Sequence, residues 1–138
     1  KDTPYADEVK NYIKANAIEH KVKFLKGLDI NELAILYQLA TIFVYPSLYE
    51  GFGIPIIEAL YSKTAVITTN DGVFPEAAGP DSLYVEPTNV AQMQETIGRL
   101  LKNKEERESI ATKGFIFAQQ FNDDKIAEQL MVVYQNLL

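Results

Sequence analysis

Two glutamates, Glu50 and Glu58, stand eight positions apart around a loop that contains glycine. The loop follows the apolar run Ile42–Tyr45 and precedes Pro55, which suits the first turn of a helix because a missing N–H costs nothing there. An ionised carboxylate is an acceptor only, and it fits a pair of neighbouring hydroxyls such as those of a ribose or a hexose. The spacing therefore predicts a strand, a loop and a helix that together bind a nucleotide sugar.

The helix predicted from Pro55 to about Tyr61 has an N-terminus without a capping side chain. Gly53 and Ile54 precede the proline, and neither carries an oxygen that could accept from the first amides. Free N–H groups at a helix N-terminus favour an anion such as phosphate. Gly51 and Gly53 carry no Cβ, so the backbone can approach a ligand closely.

Each glutamate has a simpler interpretation when it is taken alone. Glu58 could serve only the helix dipole, an effect of about 0.3–1 kcal/mol. Glu50 could be an ordinary acidic residue of a loop. The two acids, combined with the glycines and the preceding strand, favour a ligand site over these interpretations.

Composition and charge restrict the classes of protein to which the chain can belong. At 138 residues and 47% hydrophobic, it has the size of one domain with a single core. Without cysteine it cannot build a thiolate zinc site and needs no oxidising compartment, so we expect a cytoplasmic protein. The net charge of −6 opposes binding to nucleic acid. No apolar run reaches about 18 residues, the length of a membrane span. The single histidine, His20, is expected in a solvated turn.

Apolar runs predict strands that alternate with helical patterns. The runs Ile42–Tyr45 and Ala65–Thr68 are continuously apolar, as expected of parallel strands covered on both faces. Further strands are predicted at 22–25 and 83–85. This alternation predicts an α/β fold with a Rossmann-like open parallel sheet flanked by helices, in which ligands bind beyond the carboxyl ends of the strands.

The predicted helices begin at capping signals and carry apolar stripes. Starts are expected at Pro4, after Asp29 with Glu32, and after Asn89 with Gln92. Their apolar positions are Val9, Tyr12 and Ile13, then Leu33, Leu36 and Tyr37, then Val90, Met93, Ile97 and Leu100.

Two more helices are predicted towards the C-terminus. One begins at Lys104 and the other after Asn122 or Asp123. We expect their apolar stripes to be core rather than a membrane-binding face, because acids and glutamines fill the polar side of the last helix. The stripes are Ile110, Phe117 and Phe121, and Ile126, Leu130, Val133, Tyr134 and Leu137.

The segment from Glu50 to Glu58 resembles the Glu-x7-Glu motif, with Gly-Phe-Gly between the acids, of the retaining GT-B glycosyltransferases of family 4. That motif lies in their C-terminal, donor-binding domain. The flanks are similar too: 24–27 resembles a family strand that ends in Leu-Gly, 70–76 a loop before a Pro-Glu turn, and 83–87 the strand that follows. The resemblance covers nearly the whole chain.

The resemblance implies a role for each residue of the site. Glu58 would accept hydrogen bonds from the ribose hydroxyls, and Glu50, the acid of the catalytic site, would lie beside the donor sugar. Backbone amides of the loop would meet the sugar and the phosphates, and a second loop would contact the base. The loop residues are Gly51, Phe52, Gly53 and Ile54, and the base-contacting residues are Lys26, Gly27 and Leu28.

The function implied is transfer of a hexosyl unit from a UDP- or GDP-sugar to a hydroxyl acceptor with retention, as in polysaccharide or glycolipid synthesis. No cofactor and no metal are expected. The acceptor, a glycan or a lipid-linked sugar, would bind mainly to a second domain. Peripheral membrane association of the full-length enzyme and self-association of the fragment remain open. The alternatives are a GT-B-like nucleotide-sugar epimerase and a non-catalytic nucleotide-binding or interaction module.

The resemblance also implies that residues 1–138 are a partial donor-binding domain, without its first strands and without the acceptor domain. In the family, two strand units ahead of the helix at Pro4 bring an Arg and a Lys for the diphosphate. From Gly27 to Gly98 the only base is Lys63, which agrees with their absence. In the strand order 3-2-1-4-5-6 the missing strands would lie between 22–25 and Ile42–Tyr45. We therefore expect an incomplete sheet and no sugar transfer by this chain alone.

Overall fold

The computed structural model describes residues 3–137, which fall into two compact units with a boundary at residue 30. In the first unit, helix α1 (Pro4–Ala15) begins after Thr3, whose hydroxyl accepts a hydrogen bond from the amide of Ala6 at 3.2 Å. Ile13 is buried, whereas Tyr12 on the same apolar face is exposed. His20 lies exposed in a short 3-10 helix, Glu19–Lys21, in agreement with the predicted solvated turn.

The predicted strand at 22–25 is wrong. Val22 has extended backbone angles, but the residues around it join no sheet in the part of the chain that the structure describes. Phe24 and Leu25 are both more than half exposed. An apolar run favours extended backbone, but a strand forms only when a neighbouring strand accepts and donates its hydrogen bonds.

The second unit contains a three-stranded parallel sheet in the order β1-β2-β3. The strands are β1 (Ile42–Tyr45), β2 (Ala65–Thr68) and β3 (Leu83–Tyr84), so the third is one residue shorter than predicted. The register sets the last residues of the three strands side by side. The α/β fold with a parallel sheet is confirmed, and among the described residues β1 is an edge strand. The prediction of a partial domain stays a prediction.

Helices cover both faces of the sheet. They are α2 (Ile30–Leu39), α3 (Ile54–Tyr61), α4 (Phe74–Ala78), α5 (Val90–Lys102), α6 (Lys104–Ala118) and α7 (Asp123–Gln135), with a 3-10 turn at Gln119–Phe121. The predicted cap of α5 is confirmed, because the amide of Gln92 donates to Asn89 Oδ1 at 3.0 Å. None of the helices that the structure describes is both long enough and apolar enough to span a bilayer.

The core forms two layers, one on each side of β2. On one side Val66 packs with Leu60 of α3 and Phe74 of α4. On the other side Ile67 packs with Leu100 of α5 and with residues of α6 that include Ile110. Strand β2 is fully buried and holds the two layers together, which fixes where the loops at its carboxyl end emerge.

The prediction that the apolar stripe of α7 is core is wrong. Its side chains are 49–77% exposed: Ile126, Leu130, Val133, Tyr134 and Leu137. Leu36 of α2 is also exposed, although the neighbouring Tyr37 is buried as predicted. Helical spacing identifies an apolar face, but it does not say whether another element covers that face.

Candidate functional site

Helix α3 begins at Ile54, one residue before the predicted start. Its N-cap residue is Gly53, which has φ 96° and provides no capping side chain. The amides of Ile56 and Ile57 both donate to the carbonyl oxygen of Gly53, at 2.9 and 3.4 Å, and Pro55 has no N–H. The first turn therefore offers one amide, that of Ile54, without an acceptor among the described residues, which is fewer than the sequence suggested.

Both the backbone conformation and the packing at position 53 favour glycine. Its φ of 96° lies in the left-handed region that side chains disfavour. A Cβ at this position would also lie 3.3 Å from both Ala77 Cβ and Ile56 Cδ1, inside the core. Gly51 is exposed, with open space where a Cβ would stand, so close approach of a ligand remains a prediction there.

Glu50 lies in the loop between β1 and α3, as predicted, and two hydroxyls hold its carboxylate. Tyr45 Oη donates to Glu50 Oε1 at 2.7 Å, and Ser47 Oγ donates to the same oxygen at 3.1 Å. Tyr45 is the last residue of β1, so the sheet itself anchors this acid. The other carboxylate oxygen has no partner in the described structure and can accept from a ligand hydroxyl.

Glu58 lies on the second turn of α3. Tyr37 Oη, from the buried Tyr37 of α2, donates to Glu58 Oε2 at 3.1 Å. The carboxylate is half-buried, and within the described residues its second oxygen is unoccupied. Glu58 thus has a structural partner that sequence reasoning missed, and it keeps one oxygen for a ligand.

A row of aromatic rings connects the supports of the two acids. The ring centroids of Tyr37 and Phe43 are 5.3 Å apart, and those of Phe43 and Tyr45 are 5.7 Å apart. Phe43 and Tyr45 point to the same face of β1 because strand side chains alternate. The two glutamates are therefore supported by one cluster of aromatic side chains.

Both tyrosines that donate to the acids have raised pKa values. The hydrogen bond to Glu50, together with burial, raises the pKa of Tyr45 to about 12 from its ordinary value of 10.0. Burial, followed by the hydrogen bond to Glu58, raises the pKa of Tyr37 above its usual range. A nearby negative charge opposes formation of a phenolate, so both hydroxyls stay protonated donors at neutral pH.

We expect Glu50→Gln to lower the pKa of Tyr45 towards that of a free tyrosine. Because the folded pKa lies above the unfolded one, this interaction stabilises the fold fully below about pH 10 and is lost as the pH rises through about 12. Absorbance titration of the phenolate measures the change. Glu58→Gln is the matched control and should leave the titration of Tyr45 in place. Identical titration curves for wild type and Glu50→Gln would contradict the assigned contact.

The side chain of Phe52 packs into the protein. Its ring meets Phe121 at 5.7 Å between centroids in an edge-to-face geometry, and Phe121 meets Phe117 at 5.9 Å. This contact leaves the backbone of the glycine loop, rather than the ring of Phe52, to face a ligand. The role of the loop amides at a ligand stays a prediction.

The predicted base-contacting residues lie in the first unit. Lys26, Gly27 and Leu28 are exposed, and Gly27 has a left-handed φ of 68°. Their role stays a prediction.

In the second unit, Lys63 Nζ lies 4.8 Å from the centroid of the Phe115 ring, so this lysine makes a cation–π contact.

Comparison with known proteins identifies the family to which the chain is related. The family model described as glycosyl transferases group 1 matches residues 2–117. The O-antigen chain mannosyltransferase RfbU of Salmonella typhimurium is 42% identical over 95 residues, which are 69% of this chain and 27% of that protein. The MMP alpha-(1->4)-mannosyltransferase of Mycolicibacterium hassiacum is 34% identical over 116 residues, 81% of this chain and 28% of that protein.

A solved structure shares the fold. The sucrose-phosphate synthase of Thermosynechococcus elongatus superimposes with a TM-score of 0.84 at 27% identity, over 99% of this chain and 35% of that one. The chain thus spans about a third or less of the length of these proteins. The match of the family model to most of the sequence confirms the predicted relationship. The chain belongs to the glycosyl transferases group 1 family.

Proposed function

We propose that this chain is the donor-binding domain of a glycosyltransferase that transfers a hexosyl unit from a UDP- or GDP-sugar to a hydroxyl acceptor with retention of configuration. The observation that carries the proposal is the pair of carboxylates, each anchored by a tyrosine hydroxyl and each with one oxygen unoccupied among the described residues. Glu50 lies in the loop between the carboxyl end of β1 and the N-terminus of α3, and Glu58 lies on the second turn of that helix. Both acids therefore follow the carboxyl end of a parallel strand, where open α/β sheets bind ligands.

In this proposal the two acids divide the donor between them. Glu58 accepts hydrogen bonds from the ribose hydroxyls, and Glu50 accepts from hydroxyls of the sugar that is transferred. The amide of Ile54 and the positive end of the α3 dipole stabilise the departing diphosphate. Lys63 lies over Phe115, so the remaining phosphate charge would be balanced by cations from other parts of the protein.

The relatives make mannose the first donor sugar to test. RfbU and the Mycolicibacterium hassiacum protein are both named mannosyltransferases. Mannosyl transfer from GDP-mannose is the specific form of the proposal. Retention of configuration and transfer without a metal ion are part of the proposal as well. Glu50, whose carboxylate oxygen accepts from Tyr45 and Ser47, would orient the sugar rather than attack it.

Calorimetric titration of the chain with GDP-mannose, UDP-glucose, GDP and UDP tests the proposal. We expect a nucleotide sugar to bind more tightly than its free nucleotide, because Glu50 contributes only when the sugar is present. Glu50→Gln should abolish that difference, and EDTA should leave it unchanged. Failure of all four ligands to bind would favour a non-catalytic module. If NMR shows that one stereocentre of the nucleotide-bound sugar is inverted in the absence of an acceptor, the chain would instead be part of an epimerase.

A further inference from the structure

A cavity of about 340 Å³ lies at the carboxyl ends of β2 and β3. Its lining includes Asn70 and Asp71 from the loop after β2, Glu86 from the segment after β3, and Gln92 from α5. The volume is at the small end of the range for ligand sites, about 300–1,000 Å³. Such a space is suited to one sugar ring rather than to a nucleotide.

The polar groups of the cavity fit a neutral ligand with several hydroxyls. Gln92 Oε1 accepts from the amide of Glu86 at 2.7 Å, which fixes the side-chain amide and leaves its NH₂ donors for the cavity. Asn70 adds a donor and an acceptor, and Asp71 adds an acceptor. Of the described residues in the lining, none is basic, which opposes a phosphate. The described chain also has no group of three metal-ligating side chains.

The cavity continues the site of Glu50 along the same edge of the sheet. Ser47 Oγ donates to Glu50, and Thr69 Oγ1 donates to the carbonyl oxygen of Ser47 at 3.2 Å. Thr69 is buried and directly precedes Asn70, the first residue of the cavity. The two loops are thus tied together, and a ligand that reaches from one site to the other follows a continuous edge.

We infer that this cavity binds a neutral sugar unit of the acceptor glycan, next to the donor sugar at Glu50. The inference rests on the proposed function, because an acceptor must approach the donor sugar. It gives the donor-binding domain a direct part in selecting the acceptor, through hydrogen bonds from Asn70 and Gln92. The carboxylates of Asp71 and Glu86 would repel an acidic sugar, so the cavity selects uncharged sugars.

NMR titration of the ¹⁵N-labelled chain with α-linked mannobiose tests the inference. We expect saturable shifts of the side-chain amide signals of Asn70 and Gln92. The amide of Gln94, which lies on the same helix outside the cavity lining, is an internal control. Glucuronic acid should bind at least tenfold more weakly than mannobiose. Absence of saturable shifts at Asn70 and Gln92 would overturn the inference.

A matched pair of variants identifies the hydrogen-bond donors. Gln92→Glu keeps an oxygen for the amide of Glu86 but removes both donors, and it should weaken mannobiose binding at least tenfold. Gln94→Glu introduces the same charge outside the cavity and should leave binding unchanged. Equal affinity in Gln92→Glu and wild type would refute the assignment.

A parallel titration with GDP-mannose keeps the two proposals distinguishable. Binding of GDP-mannose without mannobiose would reject the acceptor subsite and leave the proposed donor site standing. Binding of mannobiose without any nucleotide sugar would reject the donor site, and with it the acceptor role of the cavity.

Discussion

Substitution of Gly79 by alanine should destabilise the domain by about 2–6 kcal/mol. Gly79 ends helix α4 with φ 72° and ψ 174°, a region of backbone conformation that is almost restricted to glycine. A Cβ there would lie 2.6–2.8 Å from atoms of the Phe117 ring, which packs against the core. Chemical denaturation measures the loss, which is a large fraction of the typical stability of a domain.

Two further variants separate the backbone cost from the packing cost. Gly72 also has a positive φ, but open space surrounds the position of its Cβ, so Gly72→Ala should cost only about 1–2 kcal/mol. In a Phe117→Leu background, Gly79→Ala should cost less than in wild type, because the ring that it meets is gone. A loss at Gly79 no larger than that at Gly72 would show that the contact with Phe117 carries none of the effect.

The sequence predicts those parts of this fold that depend on local chemistry. Continuous apolar runs identify β1 and β2 because both faces of a parallel strand are covered. Pro55 locates the start of α3 to within one residue, since proline suits the first turn. Asn89 locates the start of α5 because its side chain accepts from the amide three residues later.

The sequence does not predict which distant groups meet. The segment 22–25 has the composition of a strand, but nothing in a composition names the strand that would pair with it. The stripe of α7 has the spacing of a buried face, but most of it is exposed. In both cases the apolar pattern was recognised correctly, but the element expected to pair with it or cover it is absent from the described structure. Hydrophobic periodicity contains no information about which other element packs against a segment.

The candidate site likewise has features that the sequence predicts and contacts that it does not predict. The Glu50 to Glu58 spacing and the intervening glycines are visible in the sequence. The tyrosines that orient the two acids are not, because Tyr37 precedes Glu58 by 21 positions and reaches it only through the packing of α2 on the sheet. Tyr45 is the one support that sequence reasoning could have proposed, since it ends the strand that leads directly into the loop of Glu50.

We expect Glu58→Gln to weaken binding of GDP-mannose by about 1.5–3 kcal/mol, the scale of hydrogen bonds to a charged group, without a large change in stability. Glutamine keeps a side-chain oxygen for Tyr37 Oη, so the support of the site survives while the charge is lost. Alanine is a poorer choice at this position, because it would leave the buried hydroxyl of Tyr37 unpaired, at a cost of about 1–3 kcal/mol to the fold. Calorimetric titration gives the affinity, which should fall about 10- to 150-fold.

Two control variants decide whether the loss belongs to the contact with the ligand. Glu76→Gln removes an exposed acid from the first turn of α4 and leaves the net charge equal to that of Glu58→Gln, so long-range charge effects would appear in both. Tyr37→Phe keeps the Glu58 carboxylate but removes the hydroxyl that orients it, and it should cost less affinity than Glu58→Gln. If Glu58→Gln binds GDP-mannose as tightly as wild type, with the same melting temperature, Glu58 does not contact the ligand. A loss shared equally with Glu76→Gln would assign the effect to net charge, because Glu76 lies on α4 and has no place in the proposed donor site.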